Sequence, residues 1–160
     1  MDSLYQFMMW IEHSPVGVAV GGSTWMFAAI EAVHLLALAV IGGAVLIVDL
    51  RLMGWGLQRE SVKQVAHDAQ PWLIVSLVGM IVTGVPLMAS LAASKYFVNP
   101  AFWLKMMFLF LAIVFTFTIR RRVVSMDDSR INPTMARIVG VVSVLLWSGV
   151  GIMGRGIGFY

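Results

Sequence analysis

The sequence predicts an all-α protein: a four-transmembrane-helix antiparallel bundle with a short N-terminal interfacial helix. Three observations carry this reading. Of the 160 residues, 60% are hydrophobic and only 12% are charged, about half the charge density of a soluble domain, and mean hydropathy is +0.90. Four stretches are apolar over more than the roughly 20 residues that a helix needs to cross a bilayer. The connections between them are short, which makes consecutive helices antiparallel neighbours. The length suits a single membrane domain, 1–160, with no internal repeat or low-complexity segment.

The N-terminal "MDSLYQFMMWIEHSP" does not read as a signal peptide, because Asp2 stands where a basic region belongs and no clean apolar run follows. Leu4, Phe7, Met8 and Ile11 recur at helical spacing, so residues 3–13 read as a helix lying in the interface and ended by Ser14-Pro15. The first span covers about 23–50, with Ser23 as N-cap. The second covers about 70–94, with Pro71 in its first turn. The third covers about 99–120, capped by Asn99 with Pro100 at the first helical position. The fourth covers about 133–157.

Lys and Arg set the orientation. The loops 51–69 and 120–137 together carry eight of them, against Lys95 alone in a loop on the other side. The positive-inside rule makes the two basic loops cytoplasmic. The chain then reads as a multi-pass protein of a bacterial inner membrane with both termini periplasmic. The net charge of +3 is accounted for by these loops and does not indicate nucleic acid. The absence of cysteine excludes disulfides, thiolate catalysis and Cys-ligated metal centres.

Near the C-terminus Gly149, Gly151 and Gly154 spell G-x-G-x-x-G. That fingerprint cradles a pyrophosphate only between a strand and a following helix, with an acidic residue about 20 positions later. Here it closes a long apolar helix, so no nucleotide is expected. The glycines read instead as part of a packing face, Gly140, Ser143, Trp147, Gly151, Gly154 and Gly158, because small residues let membrane helices approach closely. Gly149 and Gly156 fall on the other side of the helix and find no role in this reading.

Ionisable residues inside the bilayer are costly and mark function or buried pairing. Glu31 and His34 share one face of the first span, at i and i+3. At 1.5 Å per residue they lie roughly 12 and 16 Å from its outer end, and Lys105 lies roughly 9 Å into the third span. Arg155 stands at the outer rim of the fourth. The structural reading is a Glu31–Lys105 pair with His34 as a hydrogen bonder. The functional reading is an outward-facing site made by His34, Glu31, Lys105, Arg155 and Trp147. Haem b is the first candidate ligand, with His34 as axial ligand and Lys105 or Arg155 meeting the propionates. Met88 and Met107, both in the outer half, are the candidate second ligands, while His67 reads as a solvated loop residue and His13 reaches His34 only if the N-terminal segment folds inward. Copper is a weaker candidate on the same imidazole and thioethers. Asp49 and Arg51 read as anchors at the inner end of the first span, paired with Arg120–Arg122 or with each other.

The segments "IEAVHLLALAVIGGAVLIVDLRLMG", "NPAFWLKMMFLFLAI" and "LLWSGVGIMGRGI", in that order, resemble a bacterial four-helix membrane family with no established activity. A weaker similarity, on His34, Gly42 and Trp103-Leu-Lys105, is to the J-type protoporphyrinogen oxidases and the copper-resistance D-like bundles. That similarity implies His34 as a haem ligand and Lys105 as a required residue. The J-type oxidases carry a second histidine about ten residues after the lysine, where this chain reads "FTFT" at 115–118, so the resemblance does not extend to a bis-histidine site. The sequence identifies no catalytic residue. It leaves three readings: a haem- or redox-cofactor-binding membrane protein; a non-catalytic accessory subunit of a homo-oligomer or larger membrane complex; and a copper-handling or transport protein.

Overall fold

A computed structural model describes residues 2–159. Those residues form α1 (Asp2–Glu12), α2 (Pro15–Gly21), α3 (Thr24–Met53), α4 (Val62–Ser90), α5 (Pro100–Phe115), α6 (Arg121–Val124) and α7 (Pro133–Gly156), with no strand among them. Four helices, α3, α4, α5 continued by α6, and α7 with the turn after it, are long and apolar enough to cross a membrane. Their outward faces are apolar around the girth, with Leu36, Val75, Phe110 and Leu145 all exposed, as suits lipid contact.

The caps explain the boundaries. Ser23 accepts from the Met26 N–H, Ser61 from Gln64, Asn99 from Ala101, and Asn132 from Thr134 and Met135. Each satisfies N–H groups that a helix start leaves free. Pro100 and Pro133 occupy first-turn positions where no N–H is needed. Gly54, at φ 78°, ends α3 in a left-handed residue. Its N–H donates to the Arg51 carbonyl and the Trp55 N–H to Leu50, the Schellman pattern.

Three boundaries differ from the sequence reading. The second span starts at Val62, not near 70, because Ser61 caps a helix whose first turns are polar. Pro71 therefore lies inside α4, together with Pro86. A second short helix, α2, follows Ser14-Pro15, since Ser14 caps it and Pro15 starts it. Five-residue π turns follow α4, at Ala92–Tyr96, and α5, at Thr116–Arg120.

The N-terminal pair of helices is fastened to the end of the bundle. Built-on Cβ atoms at Gly17 and Gly21 would lie 2.9 Å from the carbonyl oxygens of Ala89 and Ser90, so α2 meets α4 backbone to backbone. Glu12 accepts from the N–H groups of Ala93 (2.7 Å) and Ser94 (2.9 Å). Burial alone would raise its pKa, but these two donors outweigh that and hold the carboxyl below its ordinary value.

Within the bundle α3 packs on α4 and on α7, and α5 packs on α7, but α4 and α5 do not close the ring with comparable packing. The ring is open on its α4–α5 side. A core of Ile41, Val45, Leu73, Ala112, Trp147 and Val150 bridges it at mid-height. A second core, including Val48, Leu52, Val65, Val123 and Val139, lies toward the basic loops.

Candidate functional site

One stripe of α3 organises the polar groups. His34, Leu38, Ile41, Val45 and Asp49 follow at steps of three and four, so all face the interior. The polar ends of the stripe lie about 22 Å apart along the axis, with the mid-height core between them.

At the His34 end the open side of the ring widens into a cavity of about 450 Å³. Its wall includes Glu31, His34, Met88, Lys95, Tyr96, Lys105 and Arg155, with Phe27, Leu35 and Phe102 as apolar surface. The volume lies in the range of small-molecule and cofactor sites. Four of the residues singled out from sequence, Glu31, His34, Lys105 and Arg155, thus line one cavity together with Met88. Trp147 and Met107 do not. Trp147 is buried in the core and donates its Nε1–H to Thr116 Oγ1 at 3.1 Å, and Met107 is exposed on the outer face of α5. His13 bonds the Met9 carbonyl and His67 lies beside Asp68, both exposed, so neither joins His34.

The expected Glu31–Lys105 pair is not formed. Among the described residues the ion pairs are Arg51–Asp128, His67–Asp68 and Arg120–Asp49. Glu31 and Lys105 stand on helices that are diagonal in the ring, with the cavity between them. Glu31 instead acts on Tyr96: burial first, and then the Glu31 charge, raise the Tyr96 pKa. Tyr96 thus keeps its hydroxyl proton, and its ring stacks on Phe102 at 5.3 Å.

His34 is oriented by α4. Its Nδ1 lies 2.8 Å from Thr83 Oγ1, and Thr83 itself donates to the Gly79 carbonyl at 2.6 Å. A hydroxyl has one proton. With that proton given to Gly79, the Thr83 oxygen is the acceptor and His34 Nδ1–H the donor. The lone pair of the neutral ring is then on Nε2, which has no hydrogen-bond partner among the described residues. Gly84 makes room for the ring, since a Cβ there would stand 3.2 Å from His34 Cε1. Neither Thr83 nor Gly84 was singled out as a partner of His34 from sequence. The signal was the step from Thr83 to Gly84 at matching depth on the neighbouring span.

The glycines of α7 divide differently from the expected face. A Cβ on Gly149 would lie 2.7 Å from the Phe108 ring, and one on Gly156 would touch Ala101 at 3.4 Å. These two, unexplained by sequence, pack α7 on α5. A Cβ at Gly151 or Gly158 would meet nothing within 4 Å, and at Gly154 its nearest neighbours would be Lys105 side-chain atoms at 3.6–3.8 Å. All three line the cavity. Gly140, against Met53 and the Asp49 carbonyl, does pack as expected. The stripe runs from a helix contact into a hollow.

At the other end of the α3 stripe, Asp49 Oδ1 accepts from Arg120 Nε at 2.8 Å, and Arg120 Nη2 reaches the Val45 carbonyl at 3.2 Å. Asp49 and Arg120 are 0% and 5% exposed. The π turn puts Thr116 and Arg120 on the same inward side, both buried. Asp49 Oδ2 and the Ser143 hydroxyl are buried without a hydrogen-bond partner among the described residues. The expected pairing of Asp49 with the Arg120–Arg122 run is thus formed with Arg120, in the core rather than at the surface. Arg51 pairs with Asp128 at 3.0 Å.

Among the described residues no group of three or more His, Asp or Glu gathers as a metal cluster. No curated protein and no solved structure matches the chain, so the similarity to the J-type oxidases and copper-resistance D-like bundles rests on the quoted motifs alone. One family model covers nearly all of it, and on that match, over residues 7–160, the chain belongs to the DUF6644 family, a family of unknown function.

Proposed function

We propose that the cavity beneath Tyr96 is the site of an anionic, largely apolar ligand, and that haem b is the ligand whose chemistry fits it. The observation that carries the reading is His34. Its Nδ1–H is held by Thr83 and its Nε2 is left without a partner on a cavity wall. That is the arrangement by which proteins orient a ligating imidazole. Three cations, Lys95, Lys105 and Arg155, share the wall with one carboxylate, Glu31, which suits a ligand carrying two carboxylates. Met88 also lines the cavity and would offer a thioether to the iron. Gly151, Gly154 and Gly158 leave the space that side chains would fill. A bound haem supplies one-electron chemistry. The chain's own part would be to hold the iron through His34, to neutralise the propionates through Lys105 and Arg155, and to keep water out with Phe27 and Phe102. Copper is less well served, because the wall offers one imidazole and one thioether and Met107 faces away.

The eight basic residues of the two loops support an orientation with the cavity on the periplasmic side of a bacterial inner membrane. A reporter fused at Lys95 should then read as periplasmic, and a cytoplasmic reading would reverse the site. The function is tested by purifying the chain from its membrane and recording its absorption spectrum and haem content. A Soret band with about one haem per chain is expected. A protein without a Soret band, and unable to take up added haem, would overturn the assignment and favour an accessory-subunit role.

A further inference from the structure

A second cavity, of about 300 Å³, occupies the open α4–α5 side at the basic end of the bundle. Its rim carries Lys63 and His67 from α4 and Arg120 and Arg121 from the other wall, and its apolar depth includes Leu73 and Phe117. No Asp or Glu lines it among the described residues. Asp68, the nearest acid on α4, is turned to His67 at the surface.

Arg120 links this cavity to the core. It is 5% exposed, yet it forms part of the cavity wall. Its Nε is bonded to Asp49 and its Nη2 to the Val45 carbonyl, while Nη1 has no partner among the described residues. The pair with Asp49 fixes the guanidinium, so its remaining N–H groups are preorganised donors. A fixed guanidinium with free donors, flanked by Lys63 and Arg121, is suited to phosphate.

We propose that this cavity seats an anionic phospholipid, with the phosphate at Lys63, Arg120 and Arg121 and an acyl chain against Leu73 and Phe117. The shape argues for a lipid over a soluble phosphate. The cavity lies between α4 and α5, which meet only at their basic end through α6, and its deeper wall is apolar, whereas a free anion needs only the rim. Basic pockets between spanning helices on the side of the basic loops are the usual seat of such headgroups.

The test uses the purified full-length chain and native mass spectrometry. It compares phosphatidylglycerol with phosphatidylcholine of the same acyl chains. Phosphatidylglycerol should be retained at least tenfold, and up to about 100-fold, better, the preference expected from two or three cations near one headgroup. The double variant Lys63→Gln/Arg121→Gln leaves the Asp49–Arg120 pair intact and should lose most of that preference. Arg122→Gln/Arg137→Gln removes the same charge outside the cavity and should keep it. Equal retention of the two lipids by the unaltered chain would overturn the proposal. So would an equal loss in both double variants, which would mean diffuse surface attraction. Displacement of phosphatidylglycerol by millimolar inorganic phosphate would instead show a free-anion site.

Discussion

His34 and Thr83 join α3 to α4 through a 2.8 Å contact between Nδ1 and Oγ1. Because Thr83 spends its own proton on the Gly79 carbonyl, the contact fixes the tautomer as well as the position of the imidazole. Thr83→Val removes the acceptor at nearly constant volume. If His34 is a ligand, cofactor affinity should fall about 10- to 100-fold, and Thr83→Ser should retain most of it. Titration of purified variants with haem reads this directly. Equal affinities in Thr83→Val and the unaltered chain would show that the contact does not orient a ligand.

The α7 glycines make opposite predictions on neighbouring positions. Gly149→Leu forces a side chain into the Phe108 ring and should cost about 1–3 kcal/mol, seen as a lower thermal midpoint. Gly151→Leu enters open space and should leave the midpoint nearly unchanged while reducing ligand uptake. The reverse order of stabilities would mean that α7 is rotated from its described position.

The Asp49–Arg120 pair is buried on both sides, so removing one partner strands the other. Asp49→Leu or Arg120→Met alone should cost about 3–5 kcal/mol, and the two changes together should recover part of it. Additive losses in a double-mutant cycle by denaturant unfolding would argue against coupling.

Glu12 gives the chain an acid-sensitive fastening. Its carboxyl is held below the ordinary glutamate value of about 4.3, so its stabilising effect is complete above that pH and is lost as pH falls through the folded value. Protection of the α1 amides, taken relative to the intrinsic exchange rate at each pH, should therefore fall as pH drops below the ordinary glutamate value, and Glu12→Gln should show lower protection already at neutral pH with little further change. Exchange in α1 that is insensitive to both would remove the clamp.

The four spans, two of their caps, Ser23 and Asn99, and the cluster of Glu31, His34, Lys105 and Arg155 were legible because apolar length, capping residues and intramembrane charge are local signals. What the sequence did not show depended on helix phase and packing. Ser61 was passed over because the polar first turns of α4 hide its start from a hydropathy reading. The π turn at Thr116–Arg120 rotates Arg120 from a loop cluster into the core. The open α4–α5 side separates Glu31 from Lys105, although their depths match. Gly149 and Gly151 are two residues apart, about 200° around the helix, so assigning one to the hollow and the other to the contact required knowing which neighbour stood where.

The most direct test is the absorption spectrum and haem content of His34→Ala, purified beside the unaltered chain and checked for helix content by circular dichroism. The account predicts a haem band in the unaltered chain and its loss in His34→Ala with helicity unchanged. A Soret band and haem content that survive His34→Ala would contradict it.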